Sequence, residues 1–337
     1  MDAPPVQYVR TSDGYDIAYR VTEGAGPPLL FLPPPLIDID RVWRWFPDWM
    51  EGLAGRFQLI QYDLRGQGFS TRHLPADATV DDFYRDVEAV IERLGIERLL
   101  IWGWALPSHL GVRYAVNHPG RVSGLIFNTC AVACPFPVQY SMLPRENWDL
   151  FLRTIAPPGL AHDETRLKVN DLKEGMTCED YLACARALLA SNVRAELSRV
   201  RAPALVMHTR ASRMLPAEES MRFAALIPGA RFQLIDGNYI YGEADQGLAA
   251  IDAFLSDLYV SPAASGENDP RQSANGLSSR EVEVLRLLAA GRSNAQIGEA
   301  LVISASTVAK HVSSILAKTE STNRVEAAAY AHRHGLV

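Results

Sequence analysis

The sequence predicts two domains: an α/β domain with a largely parallel sheet, followed by a small all-helical domain. Short apolar segments alternate with amphipathic helical segments up to about residue 258, and such alternation is typical of a parallel sheet flanked by helices. Residues 260–275, VSPAASGENDPRQSAN, contain two prolines and almost nothing to bury, so they predict a linker. We therefore expect one domain over residues 1–259 and a second over residues 276–337.

Composition places the chain among ordinary soluble proteins. Its 337 residues are 48% hydrophobic and 21% charged, and this length suits two domains. No apolar run approaches the roughly 20 residues that span a bilayer, and the first ten residues lack a signal-peptide pattern. We therefore expect a cytoplasmic protein with no membrane partner. Four cysteines without zinc-site or disulfide spacing predict reduced thiols, no metal and no cofactor.

The net charge of −6 is unevenly distributed along the chain. Residues 276–337 hold seven Lys/Arg and five Asp/Glu, a net charge of +2, so the preceding residues carry −8. An acidic domain joined to a mildly basic one is compatible with a nucleic-acid-binding module at the end of the chain.

The elements of the first domain follow from local patterns. Asp13-Gly14 favours a tight turn between the first two predicted strands. Thr79 begins a helix that has two aspartates in its first turn and apolar residues at helical spacing behind them. Residues 134–198 hold five prolines and no clear strand, so we expect a helical cap over the sheet. The predicted strands cover 6–10, 16–21, 28–32, 57–62, 99–102, 122–128, 204–208 and 231–235. The predicted helices cover 41–53, 79–94, 106–117, 217–226 and 247–258.

One loop and the order of elements carry a family resemblance. The segment YDLRGQGFS, residues 62–70, resembles the strand-to-loop signature of the α/β-hydrolase superfamily, and the element order fits this family from about residue 6 to 258. The resemblance implies an α/β-hydrolase-like fold with a helical cap. In such enzymes a G-x-S-x-G turn after the fifth strand holds the nucleophilic serine. The matching turn here is GWALP, residues 103–107, and Ala105 occupies the position of the nucleophile.

The other catalytic positions also differ from the family pattern. Ser212 stands where the resemblance places the acid, and Ile240 stands where it places the histidine. Prolines 33–35 replace the His-Gly of the oxyanion loop, and a proline has no backbone N–H to donate to an oxyanion. From these replacements we expect that the chain is not an enzyme. The alternative is an enzyme with a displaced nucleophile, such as Ser108 beside His109 or a cysteine, that also binds DNA.

A cleft between the strand ends and the cap can bind a small molecule whether or not it catalyses a reaction. Alanine and isoleucine in place of polar groups make that cleft more apolar. We therefore expect a small, largely apolar ligand, and core packing is the alternative for each candidate residue. The candidate ligand-binding residues are Pro34, Trp104, Ala105, Leu106, Ser212, Tyr239 and Ile240.

A helix over residues 303–318, ISASTVAKHVSSILAK, is the central element of the second domain. Ser304 can cap it, and Val308, Val312, Ile315 and Leu316 form a narrow apolar stripe. The opposite face is small, polar or cationic and has no acidic residue, which suits insertion into a DNA major groove. Taken alone, the same pattern also fits an ordinary amphipathic surface helix.

The flanking segments favour DNA binding. Ser278 and Glu281 form a capping-box pattern, Gly291 can end the first helix, and Ser293 can cap the second. The whole stretch resembles the LuxR/GerE-type DNA-binding domain in LSSREVEVL, GRSNxxI, ISxSTVxKHV and NRxEA. The resemblance implies that the third helix reads the major groove of a double-stranded operator and that the protein is a homodimer. The residues it implies at base edges are Ser306, Ala309, Lys310 and Ser313. The residues it implies at phosphates are Thr307, His311, Lys318 and Arg324.

These observations together predict a transcription regulator whose hydrolase-like domain is inactive as an enzyme and senses a small-molecule effector. A third interpretation is a regulator that needs no ligand and whose first domain only dimerises.

Overall fold

The structure is a computed structural model, and it describes a large part of the chain in two compact units. The described residues are 4–24, 26–135, 137–156, 162–212, 214–237, 242–260, 277, 279–301, 303–319 and 321–333. The boundary between the units follows Ile251, and each unit has its own hydrophobic core. The predicted linker at 260–275 lies outside the described residues apart from Val260, so the predicted domain boundaries stay predictions.

The first unit is built on one eight-stranded sheet. Its strands are β1 (Gln7–Arg10), β2 (Asp16–Val21), β3 (Pro28–Leu32), β4 (Gln58–Tyr62), β5 (Leu99–Trp104), β6 (Val122–Asn128), β7 (Ala204–Thr209) and β8 (Arg231–Ile235). The spatial order is β1-β2-β4-β3-β5-β6-β7-β8. The β1–β2 and β2–β4 pairs are antiparallel, and all the pairs from β4 to β8 are parallel. The predicted α/β class is therefore confirmed.

Helices cover the sheet and form the cap. The helices of this unit are α1 (Ile39–Trp45), α2 (Pro47–Ala54), α3 (Val80–Arg93), α4 (Ser108–Asn117), α5 (Pro137–Glu146), α6 (Trp148–Ile155), α7 (His162–Gly175), α8 (Cys178–Leu189), α9 (Arg194–Leu197), α10 (Ala217–Ala225) and α11 (Ala244–Val260). The prediction of one helix over 41–53 was wrong, because Pro47 begins a new helix and disfavours helical backbone at Phe46. Residues 134–198 hold the cap helices α5 to α9, as predicted.

The loop after β4 is fixed by a buried arginine. Arg65 donates to both carboxylate oxygens of Asp86 at 2.7–3.2 Å and to Asp13 at 2.7 and 3.2 Å. Its guanidinium also lies 4.4 Å from the ring centre of Tyr15. Because Asp13 lies in the β1–β2 turn and Asp86 in α3, Arg65 joins the edge hairpin, the loop and a covering helix.

The second unit begins within α11, after Ile251, and its described residues also form α12 (Ser279–Ala289), α13 (Asn294–Leu301), α14 (Ala305–Lys318) and α15 (Arg324–Arg333). Gly291 follows the carboxyl end of α12 and adopts the left-handed region at φ 76°, as its position predicts. Ser293 and Gln296 exchange capping hydrogen bonds, and the Ser304 hydroxyl accepts from the Thr307 N–H. A Cβ on Gly298 would lie 2.5 Å from the Ile303 carbonyl oxygen, so the tight α13–α14 turn needs glycine there.

No single helix within the described ranges is long and apolar enough to cross a membrane, although the sharply bent pair α13 and α14 reaches that length when counted together.

Candidate ligand cleft and nucleic-acid interface

The turn between β5 and α4 has the sharp backbone expected at the nucleophile position. Ala105 adopts φ 50°, its N–H donates to the Asn128 carbonyl at 3.1 Å, and its own carbonyl accepts from Ser108 N–H at 3.2 Å. A residue with a Cβ in this left-handed region costs about 1–2 kcal/mol. The turn therefore keeps a strained shape even though its tip residue carries only a methyl group.

Strained backbone recurs at the carboxyl ends of the neighbouring strands. Leu36 after β3 has φ 76°, and Thr129 after β6 has φ 51°, on either side of Ala105 after β5. A positive φ is rare for any residue other than glycine and is most unusual for a β-branched threonine. Because such strain concentrates at binding and catalytic sites, and ligands of parallel sheets bind at the carboxyl edge, this edge is the candidate site.

The β3 loop turns its available hydrogen-bonding groups inward. The first N–H after the three prolines belongs to Leu36, and it donates to the Gln67 side-chain oxygen at 2.7 Å. The Gln67 amide nitrogen donates to the Pro34 carbonyl at 3.3 Å, and Gln67 is fully buried. The Gln67 side chain therefore fixes the loop after β3, which stands where the hydrolase family has its oxyanion loop.

Five of the seven predicted cleft residues are described, and each of these five follows the carboxyl end of a strand or lies at it. Pro34 and Trp104 are buried, whereas Ala105 and Leu106 are partly exposed in the β5–α4 turn, residues 103–107, which is called the elbow below. The Ser212 hydroxyl accepts from the N–H groups of Met214 and Leu215 at 3.3 and 3.5 Å, so it closes the turn before α10. Tyr239 and Ile240 lie outside the described residues. The assignment of all seven residues to one ligand site stays a prediction.

The alternative nucleophile Ser108 lies beneath the elbow. It is fully buried, and its hydroxyl makes no hydrogen bond within the described part of the chain. A Cβ on Gly103 would lie 3.1 Å from Ser108 Oγ, so the hydroxyl faces β5. The pairing of Ser108 with a base therefore has no support in the geometry.

His109 is engaged elsewhere. Its Nε2 lies 2.9 Å from the Ala131 carbonyl and its Nδ1 lies 2.9 Å from Ser191 Oγ. Because a carbonyl can only accept, Nε2 carries the proton and Nδ1 accepts from the serine hydroxyl. Burial lowers the pKa of His109 to about 4, so the ring is neutral at physiological pH. His109 therefore joins α4 to the segment that follows α8 and to the loop after β6.

Replacing Ala105 with glycine is expected to stabilise the first unit by about 1 kcal/mol, because glycine adopts a positive φ without steric strain. Ala115→Gly is the matched control in the same region, because Ala115 lies buried inside α4 and its loss should destabilise the unit by about 1 kcal/mol or more. Urea unfolding of both variants measures whether the free energy of unfolding rises or falls in each. Destabilisation by Ala105→Gly would contradict a strained elbow.

The α14 helix presents four of the predicted DNA-contacting residues to solvent. Ser306, Ala309, Lys310 and Ser313 are all exposed, and Ser313 Oγ donates to the Ala309 carbonyl at 3.1 Å. Val308 and Ile315 on the other side are fully buried, which anchors the helix against the unit's core. The residues predicted to approach base edges therefore share an accessible face.

The residues predicted to contact phosphates differ from one another in exposure and in their partners within the protein. His311 is only 3% exposed, because it follows Val308 by three residues and precedes Ile315 by four, which turns its side chain toward the core. Its contact with phosphate stays a prediction that this burial does not favour. Lys318 pairs with Glu281 of α12, with its Nζ 2.7 Å from Oε2. Thr307 is half-buried, and Arg324 is exposed and donates to the Arg292 carbonyl at 2.6 Å.

Comparison with known proteins finds a family match for a part of each unit. Residues 275–331 match the family described as bacterial regulatory proteins, luxR family, and residues 38–157 match the alpha/beta hydrolase fold. The chain contains a luxR-family DNA-binding domain and an α/β-hydrolase domain. Both resemblances drawn from the sequence are therefore confirmed.

Individual relatives cover the two domains separately. RutD of Agrobacterium fabrum, named as a carbamate hydrolase, is 26% identical over 208 residues, which cover 57% of this chain and 78% of RutD. The regulatory protein LiaR of Bacillus subtilis is 47% identical over 74 residues, 22% of this chain and 34% of LiaR. The enol-lactonase of Burkholderia xenovorans LB400 shares the fold with a TM-score of 0.63 and 20% identity, over 74% of this chain and all of that one.

The expectation that the chain is not an enzyme was wrong as a conclusion from sequence. The relatives matched across the domain that holds Ala105 are named as hydrolases. The replaced positions Ala105, Ser212 and Ile240 concern only the serine–histidine–acid mechanism. They do not decide against hydrolysis by other groups.

Proposed function

We propose that the chain is a transcription regulator in which the hydrolase-fold domain binds a small, largely apolar molecule and thereby changes DNA binding by the luxR-family domain. The observation that carries the proposal is the strained carboxyl edge at Leu36, Ala105 and Thr129. Strain of this kind costs free energy that folding alone does not require, so its presence in a chain that also carries a DNA-binding domain favours a retained binding site.

The ligand must bind two states of the protein with different affinity, because a molecule that binds both equally shifts neither population. The two states differ in their affinity for the operator. In the proposal the regulator is a cytoplasmic homodimer, because a two-fold dimer reads two half-sites of a palindromic operator.

The experiment is a thermal-shift screen of the full chain with small esters, lactones and alcohols, followed by DNA-binding measurements with each binder. Ala105→Leu places a larger side chain at the elbow and is expected to abolish the thermal shift. Ala225→Leu makes the same change at an exposed position at the end of α10 and should leave the shift intact. A compound that binds the protein but leaves its DNA affinity unchanged would contradict the proposed coupling between the two domains. A screen without binders would instead favour a first domain that only dimerises.

Hydrolysis of a small substrate in the same cleft is the second candidate function, favoured by the hydrolase names of the relatives. Turnover of ester and carbamate probes by the full chain measures it directly. Loss of turnover in Ser108→Ala would assign the reaction to Ser108, and turnover kept in that variant would assign it to another group.

Lys310→Ala is expected to weaken binding to a duplex selected from a random library by about 1–3 kcal/mol, because Lys310 is the cation on the exposed face of α14. Arg333→Ala removes the same charge from the exposed end of α15 and serves as the control. Fluorescence anisotropy measures both affinities. An unchanged affinity in Lys310→Ala would contradict the placement of α14 in the major groove.

A further inference from the structure

A buried carboxylate of α12 binds the flank of the DNA-reading helix. Glu281 is 3% exposed, and its Oε1 accepts from Ser314 Oγ at 2.6 Å and from Lys318 Nζ at 2.8 Å. Its Oε2 accepts from the same ammonium at 2.7 Å. The Lys318 side chain is 43% exposed, so the ammonium is fixed at the rim of the domain and not inside it.

The two partners of Glu281 lie one helical turn apart on α14. Ser314 and Lys318 therefore share the flank that faces α12, next to the exposed face that holds Lys310. The helix carries two lysines and no acidic residue, so the ion pair with Glu281 neutralises half of its formal positive charge.

We propose that Glu281 withholds Lys318 from the phosphate backbone of DNA and so limits sequence-independent binding. The inference rests on DNA binding by the luxR-family domain. Non-specific binding to DNA comes almost entirely from contacts between cations and phosphates, whereas sequence is read at base edges. A lysine that is held in an ion pair with Glu281 therefore contributes no phosphate contact to any DNA sequence, and the base-reading face is unchanged.

The expected effect is set by counterion release. Each phosphate neutralised by a lysine adds about 0.9 to the slope of log affinity against log salt concentration, or roughly eightfold in affinity for each tenfold fall in salt. Freeing Lys318 should thus change both the affinity and its salt dependence in the same direction.

The test uses the full chain and a duplex of random sequence over a range of salt concentrations. Glu281→Gln keeps the shape of the side chain and an acceptor for Ser314 but removes the charge that holds Lys318. Its non-specific affinity is expected to rise roughly fivefold to tenfold at low salt, with a salt slope steeper by about 0.9. An unchanged or lower affinity in a folded Glu281→Gln protein overturns the proposal.

Two further variants separate the possible causes. Lys318→Met alone is expected to change non-specific affinity by less than about twofold, because that ammonium is already neutralised. In the double variant, Glu281→Gln with Lys318→Met, the gain should disappear. A gain that survives in the double variant would mean direct repulsion between Glu281 and DNA, which overturns the proposal.

The Lys318→Met result stands even if Glu281→Gln does not fold, as judged by circular dichroism. A loss of affinity and a shallower salt slope in Lys318→Met would mean that Lys318 contacts phosphate despite Glu281, and this also overturns the proposal. If the unaltered protein fails to bind any duplex, DNA binding itself fails, which is distinguishable from each of these outcomes.

Discussion

Replacing Arg65 with alanine is expected to lower the free energy of unfolding of the hydrolase-fold domain by about 3–5 kcal/mol. Asp86 is fully buried, and the Arg65 guanidinium is its ion-pair partner at 2.7 Å. Removing one member of a buried pair leaves the other charge without compensation, and this costs far more than the pair contributes when intact. The cation contact with Tyr15 and the link to Asp13 are lost as well.

Arg85→Ala is the matched control for that experiment. Arg85 also pairs with Asp13, but its side chain is 39% exposed, so its loss should cost less than about 1 kcal/mol. All six tryptophans lie between residues 43 and 148, so tryptophan fluorescence during urea unfolding reports on this domain alone. Similar costs for the two variants would contradict the role of burial in the Arg65 network.

Acid is expected to destabilise the same domain through His109. The folded state lowers the pKa of His109 to about 4, below the ordinary value of 6.5, because burial disfavours the charged ring. The unfolded state therefore binds the proton more readily below pH 6.5. The contribution of His109 is fully present above that pH and is lost as the pH falls toward 4. The loss amounts to about 3 kcal/mol.

The pH effect is isolated by comparing the protein with His109→Gln. Glutamine retains hydrogen-bonding groups but does not titrate in this range. The difference in unfolding free energy between the two proteins is expected to shrink steadily from pH 7 to pH 4.5. A difference that stays constant over this range would show that His109 is not the titrating group.

Patterns local in sequence predicted most of the fold. The β5–α4 turn was located from the resemblance of GWALP to the G-x-S-x-G turn of the α/β-hydrolase family, and the Ser304 cap was located from its place before the apolar stripe. The break at Pro47 was missed although its signal was present, because proline restricts the residue before it. The burial of His311 was also readable from its spacing to Val308 and Ile315.

Contacts between distant residues had no comparable signal. His109 and Ser191 are 82 residues apart, and Glu281 and Lys318 are 37 apart. Helical spacing places each side chain on a face, but it does not say which other element packs against that face. The expectation that the chain is not an enzyme was wrong for a related reason, because the replacement of three catalytic positions describes one mechanism and not every reaction that a cleft can support.

The hydrogen bond between His109 and Ser191 connects the cap to the helix that follows the elbow. Ser191 follows the long cap helix α8, and His109 lies in the first turn of α4, four residues after Ala105. A hydrogen bond of 2.9 Å weakens steeply when stretched by about 1 Å. A ligand that displaces α8 outward must therefore break this hydrogen bond or displace the first turn of α4 as well. Movement of the cap can thus change the position of the elbow, without a nucleophile at Ala105.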